Sequence, residues 1–200
     1  MRAWFDMPWR VSNELHRLVS WPYIRLAFRL HGLKWGKGWR IFGMPIIQRH
    51  RHSTIALGDG VELRSWSGTN PIAPNHRVVL STRSAGASLR LGCHCGLTGA
   101  VIVATESVEI GDRVLLGSNC VVIDTDFHPV DLVQRRQRFQ SLDSQPVFID
   151  DDVFVGMNCL VLKGVSIGKG SVIGAGSVVT GDIPSGVVAA GNPARVQGSL

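Results

Sequence analysis

Of the seven histidines, His128 stands in the setting most typical of catalysis. It follows the acidic segment DTDF (124–127) and precedes PVDLVQRRQRFQSLDSQP, where a regular sequence pattern stops. An imidazole titrates near neutral pH, so it can accept a proton from a hydroxyl that attacks a carbonyl carbon. Asp126, or alternatively Asp124, is close enough in sequence to orient the ring. We therefore predict a general base at His128, the alternative being an exposed loop histidine without a role.

On both sides of His128, aliphatic residues recur in the sequence with a period of six. From residue 149 to 184, six consecutive hexads each begin with an aliphatic residue: Ile149, Val155, Val161, Ile167, Ile173 and Val179. The pattern recurs from Leu57, Leu91 and Ile110, with a one-residue slip between the registers of Val103 and Ile110. A period of six fits neither an amphipathic helix nor an alternating strand. It predicts an all-β solenoid in which each hexad forms one short side, its first and fifth residues point inward, and three sides close a coil of about 18 residues.

The cysteines fit the same register. LGCHCG (91–96) invites a metal-site interpretation, because His94 lies between two cysteines. However, Cys95, Cys120 and Cys159 fall at the fifth, inward position, where a free cysteine behaves as a small hydrophobic residue. The remaining Cys93 and His94 are too few for a closed zinc site. We expect no metal and no disulfide framework.

Two segments accompany the hexads: DTDFHP (124–129) and IGAGSVVTGDIPSGVVAAGNPARV (173–196). Together with the hexads, they resemble the hexapeptide-repeat acyltransferases. The similarity is closest to the maltose and galactoside O-acetyltransferases and to those that modify bacterial surface polysaccharides. It covers residues 55–198 and implies a left-handed parallel β-helix of triangular section with a protruding loop at 128–148. It also implies acetyl-CoA as donor, a homotrimer with active sites between subunits, and a catalytic histidine at His128.

The resemblance further implies a coenzyme A site in the groove between neighbouring β-helices. By motif alignment, the backbone N–H of Met157 in VGMN matches the position facing the thioester. Ala175 in GAGS and Thr180 in VVT match positions that contact pantetheine and nucleotide, and Arg195 in GNPARV matches a basic residue near the nucleotide phosphates.

Three departures from the family pattern qualify these expectations. Gly181 stands where a lysine is common, and Gly198 replaces a further basic residue of galactoside-type relatives. Leu97 aligns with their substrate-contacting asparagine. The phosphates could then be held by loop arginines (Arg135, Arg136 or Arg138), and we expect an acceptor other than a galactoside in the same pose.

The N-terminal segment (1–54) differs from the rest of the chain in charge and in tryptophan content. Residues 1–52 carry a net charge of +8 and five of the six tryptophans, whereas the rest of the chain carries −2. Residues 11–31 mix apolar and basic side chains at helical spacing, and Pro22 is predicted to kink or divide the helix. Two interpretations stay open for residues 1–40: an amphipathic helix on a membrane surface, or a helical cap on the solenoid or a neighbouring subunit. Nucleic acid is not expected, because no binding motif accompanies the charge.

The resulting hypothesis is an acetyl-CoA-dependent O-acetyltransferase that acts on a saccharide or glycan precursor in polysaccharide biosynthesis. The alternatives are an N-acetyltransferase acting on an amino sugar or small amine, and a non-catalytic, membrane-attached scaffold. No run of apolar residues is long enough to span a bilayer, and the start MRAWFDMPWR is unlike a secretory signal. The expected location is the cytoplasm, either free or peripheral at the inner face of the membrane.

Overall fold

The chain folds into one long helix followed by short strands, as seen in a computed structural model that describes residues 6–136 and 143–200. Helix α1 is Pro8–Leu30, and a short helix α2 is Leu132–Arg136. The strands in these residues are β1 Arg40–Phe42, β2 Ile46–Arg49, β3 Thr54–Leu57, β4 Glu62–Arg64, β5 Val79–Thr82, β6 Ser88–Leu91, β7 Gly96–Thr98, β8 Val101–Ala104, β9 Ser107–Ile110, β10 Leu115–Leu116, β11 Val121–Ile123, β12 Val147–Ile149, β13 Phe154–Val155, β14 Leu160–Val161, β15 Ser166–Ile167, β16 Val172–Ile173, β17 Val178–Val179, β18 Val187–Gly191 and β19 Ala194–Ser199.

From β1 to β17 every third strand joins the same sheet, so three sheets of parallel strands form the sides of a triangular prism. The first sheet has the order β1-β4-β7-β10-β13-β16-β18-β19, the second β17-β14-β11-β8-β5-β2, and the third β15-β12-β9-β6-β3. Only β18 and β19 pair antiparallel among the described strands. Val155 pairs with Ile173, eighteen residues later, which confirms a coil of three hexads. The fold is the predicted left-handed parallel β-helix.

The core confirms the hexad register. The first residues of the six hexads, from Ile149 to Val179, are each at most 2% exposed. Their fifth residues are buried as well: Val153, Cys159, Val165, Ser171, Ser177 and Ile183. The two serines satisfy their hydroxyls on backbone carbonyls, those of Pro184 and Gly174. Stacked aliphatic side chains therefore provide the hydrophobic stabilisation of the solenoid.

One part of the predicted register is wrong. Ile102, rather than Val103, pairs with Val122 and occupies the first position. The coil is one residue short between Leu97 and Ile102 because Gly99, at φ 52°, turns the corner early. Ile102 and Ile110 are then eight positions apart instead of six. One residue missing before Ile102 and two extra residues after it leave a net slip of one residue, as predicted.

The β-helix also begins earlier than the boundary predicted at residue 55. Strands β1 and β2 already pair with β4 and β5, so the first coil starts at Arg40. Ile41, Phe42 and Ile47 are buried in it. The segment 1–54 therefore contains two sides of a coil in addition to its helix.

Helix α1 closes the open end of the first coil. Ile24 and Phe28 are almost fully buried, and the Phe28 ring lies 5.5 Å from that of Trp39. The prediction that Pro22 divides the helix is wrong, since α1 is continuous through it. Pro22 is exposed, and α1 is anchored on both sides of it, by Glu14 against Arg40 and by buried Ile24. These contacts offset the one backbone hydrogen bond that the proline removes.

Candidate functional site

His128 lies where the chain leaves the β-helix after β11. Thr125 pairs antiparallel with Ser144, which brings the two ends of residues 126–143, here called the projecting loop, to the corner that follows the second sheet. The His128 side chain is exposed there. Residues 137–142, which include Arg138, lie outside the described residues, and Arg135 and Arg136 are exposed on α2. The histidine is thus presented on the surface at the root of a loop, as its sequence position predicted.

Asp124 faces the preceding coil. Its fully buried carboxylate accepts hydrogen bonds from the backbone N–H groups of Thr105, at 2.7 and 2.9 Å, and of Glu106, at 2.7 Å. Burial raises the pKa of this carboxyl, although these bonds act in the opposite direction. Asp124 therefore fixes the corner from which the projecting loop departs.

Asp126 is held by a residue that the sequence analysis missed. Lys163 places its Nζ 2.5 Å from carboxylate oxygens of both Asp126 and Asp143, the two ends of the projecting loop. Hydrogen bonds to the two carboxylates raise the pKa of Lys163. The register of β11 and β14, in which Val122 pairs with Val161, sets Lys163 one coil beyond Asp124. Counting along that register is the signal that could have revealed it.

Met157 and Ala175 occupy one corner in successive coils, directly after β13 and β16. The N–H of Gly176 donates to the carbonyl of Met157 at 2.8 Å. Both residues line a groove of about 480 Å³ on the outside of the first sheet, here called the donor groove. Arg195, on β19, pairs with Ala190 one coil further along the same side. Three of the four predicted coenzyme A residues therefore follow one another along one edge of the β-helix.

The backbone at this corner is available to a ligand. At another corner, the N–H groups of Cys93 and Asp112 donate to the carboxylates of Asp112 and Asp151. Among residues 6–136 and 143–200, no acceptor takes the N–H of Met157 or of Ala175. Fixed N–H groups without an acceptor are suited to hydrogen-bonding an amide or a developing oxyanion.

Thr180 does not share this corner. It follows β17, so it lies with His128 at the far end of the second sheet, two coils beyond the projecting loop. In one chain the side of the prism formed by β11, β14 and β17 separates His128 and Thr180 from Met157 and Ala175. A single chain consequently places the predicted site residues at two different corners.

The remaining sequence candidates have structural roles. Leu97 is 1% exposed in the core, so its side chain cannot contact a substrate. His94 is a corner residue at φ 58°, in the place that Arg113 and Asp152 take at φ 57° and 60° in later coils. All four cysteines are free, and burial raises the pKa of Cys95 to about 11. Within the described parts of the chain, no three His, Cys, Asp or Glu side chains cluster as metal ligands would.

Comparison with known families agrees with this architecture. The family model described as bacterial transferase hexapeptide (six repeats) matches residues 146–181. A second, the hexapeptide repeat of succinyl-transferase, matches residues 107–132. These two segments of the chain resemble hexapeptide-repeat transferases. Triangular coils and stacked hexads are the features that define the resemblance.

Curated proteins that the chain resembles are acetyltransferases. The galactoside O-acetyltransferase of Lactococcus lactis is 45% identical over 96 residues, 48% of this chain and 45% of that protein. A probable acetyltransferase of Mycobacterium tuberculosis is 31% identical over 165 residues, 79% of this chain and 55% of that protein. The chain thus spans about half the length of the curated relatives it matches.

A solved structure extends the likeness to most of the fold. The hexapeptide-repeat acetyltransferase of Vibrio cholerae, crystallised in complex with acetyl coenzyme A, is 25% identical to this chain. The alignment covers 90% of this chain and 75% of that one, with a TM-score of 0.56.

Proposed function

We propose that the protein is an acetyl-CoA-dependent O-acetyltransferase that modifies a hydroxyl of a saccharide or glycan precursor. The observation that carries this proposal is the donor groove, where the free N–H groups of Met157 and Ala175 lie on a β-helix similar to one crystallised with acetyl coenzyme A. The galactoside O-acetyltransferase among its relatives favours a sugar hydroxyl over an amine as acceptor.

In this proposal His128 takes the proton of the acceptor hydroxyl while its oxygen attacks the thioester carbonyl. The N–H of Met157 donates to the oxyanion of the tetrahedral intermediate. The intermediate collapses, the C–S bond breaks, and the thiolate of coenzyme A takes the proton from the imidazolium. The products are an acetyl ester and free coenzyme A. Asp126, fixed by Lys163, holds the loop root that presents His128.

The separation of the site residues between two corners supports a homotrimer. His128 and Thr180 at one corner can meet Met157 and Ala175 only when two β-helices lie side by side. A ring of three subunits repeats that contact with closed symmetry and gives three equal sites. The nucleotide end of acetyl-CoA would then extend along the groove toward Arg195.

An acceptor panel tests the proposed reaction directly. The full chain is incubated with acetyl-CoA and either sugars, sugar phosphates and oligosaccharides, or amino sugars and amines, and thiol release is followed. We expect release with at least one hydroxyl acceptor and a product that hydroxylamine cleaves, as an ester does and an amide does not. Thiol release with amines alone would assign the protein to the N-acetyltransferases. If none of the acceptors supported thiol release, the non-catalytic scaffold would be favoured.

The outer face of α1 supports a location at a membrane surface. Leu15, Val19, Leu26 and Leu30 are 56–80% exposed and share one side of the helix, opposite the buried Ile24. Exposed arginines, Arg25 and Arg29, lie on the same helix. Soluble surfaces rarely leave such a continuous apolar stripe uncovered. No helix among the described residues is both long and apolar enough to cross a bilayer. We infer that the stripe rests in an anionic lipid surface at the inner face of the membrane, with arginines toward the headgroups.

Liposome co-sedimentation of the full chain tests this contact. We expect binding to anionic vesicles, reduced at high salt, and loss of binding in the triple variant Leu15→Gln, Val19→Gln, Leu26→Gln. A matched control makes the same three polar changes at other exposed apolar positions, those on and beside α2: Val130, Leu132 and Val133. Equal binding by both variants would contradict the proposal. Truncation at residue 52 is unsuitable, because it removes β1 and β2.

A further inference from the structure

A second cavity, the α1 cavity, lies between the first half of α1 and the first two coils. It has a volume of about 740 Å³ and is lined by Trp9, Arg10 and Asn13 of α1, Arg40 and Arg64 of the first sheet, and Asn70 of the following connection. We propose that it binds a phosphate or diphosphate group carried by the saccharide acceptor. This inference rests on the proposed function and names the class of substrate.

The guanidinium groups of the cavity are fixed before a ligand arrives. Phe42 is 3% exposed, and the guanidinium carbons of Arg40 and Arg64 lie 5.3 and 5.2 Å from its ring centroid. Glu14 binds Arg40, and Glu62 accepts a hydrogen bond from Nε of Arg64 at 2.6 Å. Although burial acts in the opposite direction, the neighbouring arginines lower the pKa of Glu14, so its carboxylate stays ionised. Arg64 donates from Nε and Nη2 to Glu62 and from Nη1 to the carbonyl of Thr69, so a phosphate would meet its fixed positive charge and the remaining N–H of each terminal nitrogen.

Positive charge remains in excess after these pairs are counted. Arg40 pairs with Glu14 and Arg64 with Glu62, so Arg10 is left as the one guanidinium in excess among the three that line the cavity. Among the described residues, Arg10 forms no ion pair with a carboxylate. A neutral sugar would leave this positive charge without a counterion, whereas a diphosphate carries negative charge that neutralises it. The indole of Trp9 and the amides of the lining asparagines suit an adjoining sugar ring.

The α1 cavity borders the donor groove. Arg64 and Asn70 line both, and Asn70 is held there by a 3.3 Å hydrogen bond from its amide to Thr98 Oγ1. The strand β4, which carries Arg64, is separated from β13, which precedes Met157, by three strand spacings, or about 14 Å.

The donor approaches from the opposite direction. Ala175 and Arg195 lie beyond Met157 toward the C-terminal coils, so acetyl-CoA fills that part of the groove. An acceptor whose hydroxyl meets the thioester at Met157 must extend its other end toward the N-terminal coils. A hexose with a diphosphate linkage spans that distance and places its phosphates among the arginines.

Calorimetric titration of the full chain with inorganic pyrophosphate tests the α1 cavity. Saturating coenzyme A is present, so that phosphate sites of the donor groove are filled. We expect pyrophosphate to bind, and Arg10→Gln and Arg64→Gln each to weaken binding at least 10-fold. Arg51→Gln, an equal charge change on an exposed turn, should leave binding unchanged. Absence of binding by the wild type, or equal affinity in Arg10→Gln, which alters an exposed side chain and should not disturb the fold, would overturn the proposal.

Competition then distinguishes the sources of the diphosphate. Displacement of pyrophosphate by uridine diphosphate glucose indicates a nucleotide sugar, and displacement by geranyl diphosphate indicates a lipid-linked sugar. Displacement by neither compound would overturn the proposal. Because binding is measured without turnover, pyrophosphate binding in a protein that transfers no acetyl group would reject the proposed reaction while the cavity assignment survives.

Discussion

Replacement of His128 by alanine should lower turnover about 10²–10⁴-fold, the usual contribution of a general base. The imidazole is exposed at the root of the projecting loop, so its removal should not disturb the core. We therefore expect an unchanged circular dichroism spectrum and an unchanged Kd for coenzyme A. The measurement is kcat with the acceptor identified in the panel.

Asp126→Asn provides the graded comparison for this variant. Asp126 contacts Lys163 rather than a reacting atom, so its change should loosen the loop root and cost less activity than the loss of His128. Near-normal turnover in His128→Ala would assign the base to another residue. A larger loss in Asp126→Asn than in His128→Ala would show that the loop root matters more than the imidazole.

Val161→Asp should be the most damaging single change to stability. Val161 is fully buried between Val122 and Val179 of the adjacent coils, in a stack of aliphatic side chains. Burying an unpaired charge or a protonated acid at this position should lower the free energy of unfolding by roughly 3–5 kcal/mol. Urea unfolding followed by circular dichroism measures the difference.

Leu115→Asp is the matched control for that prediction. Leu115 is also a strand residue of the β-helix, but its side chain points outward and is 49% exposed. Its replacement should cost well under half as much as Val161→Asp. Equal midpoints for the two variants would mean that the inward and outward positions of the hexad are not distinguished energetically, in conflict with the register.

The parts of the fold that were predictable are those in which each residue has a stacked counterpart. Val155 and Ile173 repeat the same role eighteen residues apart, so their burial could be read from the period alone. Ile41 and Ile47 are also six residues apart, but their stacked counterparts Leu63 and Leu80 follow 22 and 33 residues later, so no period of eighteen marks the first coil. Pro22 was misjudged for a related reason: local propensity favours a break, but contacts with the β-helix hold both halves of α1 in one helix.

The candidate site also has parts that were predictable from the sequence and parts that were not. Motifs located His128, Met157, Ala175, Thr180 and Arg195, but no motif encodes the corner that each residue occupies. Lys163 was missed because its two partners lie at opposite ends of an irregular loop, and only the strand register brings them together. The α1 cavity could not be predicted from the sequence either, because its lining comes from α1, β1, β4 and a connection that share no repeat.

The most direct test of the shared active site is complementation between two inactive variants. His128→Ala removes the base, and Ala175→Trp fills the donor groove at an exposed position without altering the core. The two are co-expressed with different affinity tags, and only trimers that carry both tags are purified. Any such mixed ring contains one junction that pairs an intact His128 with an intact donor groove, so we expect about one third of wild-type turnover per trimer. Turnover no higher than that of either variant alone would contradict it and place the whole site within one chain.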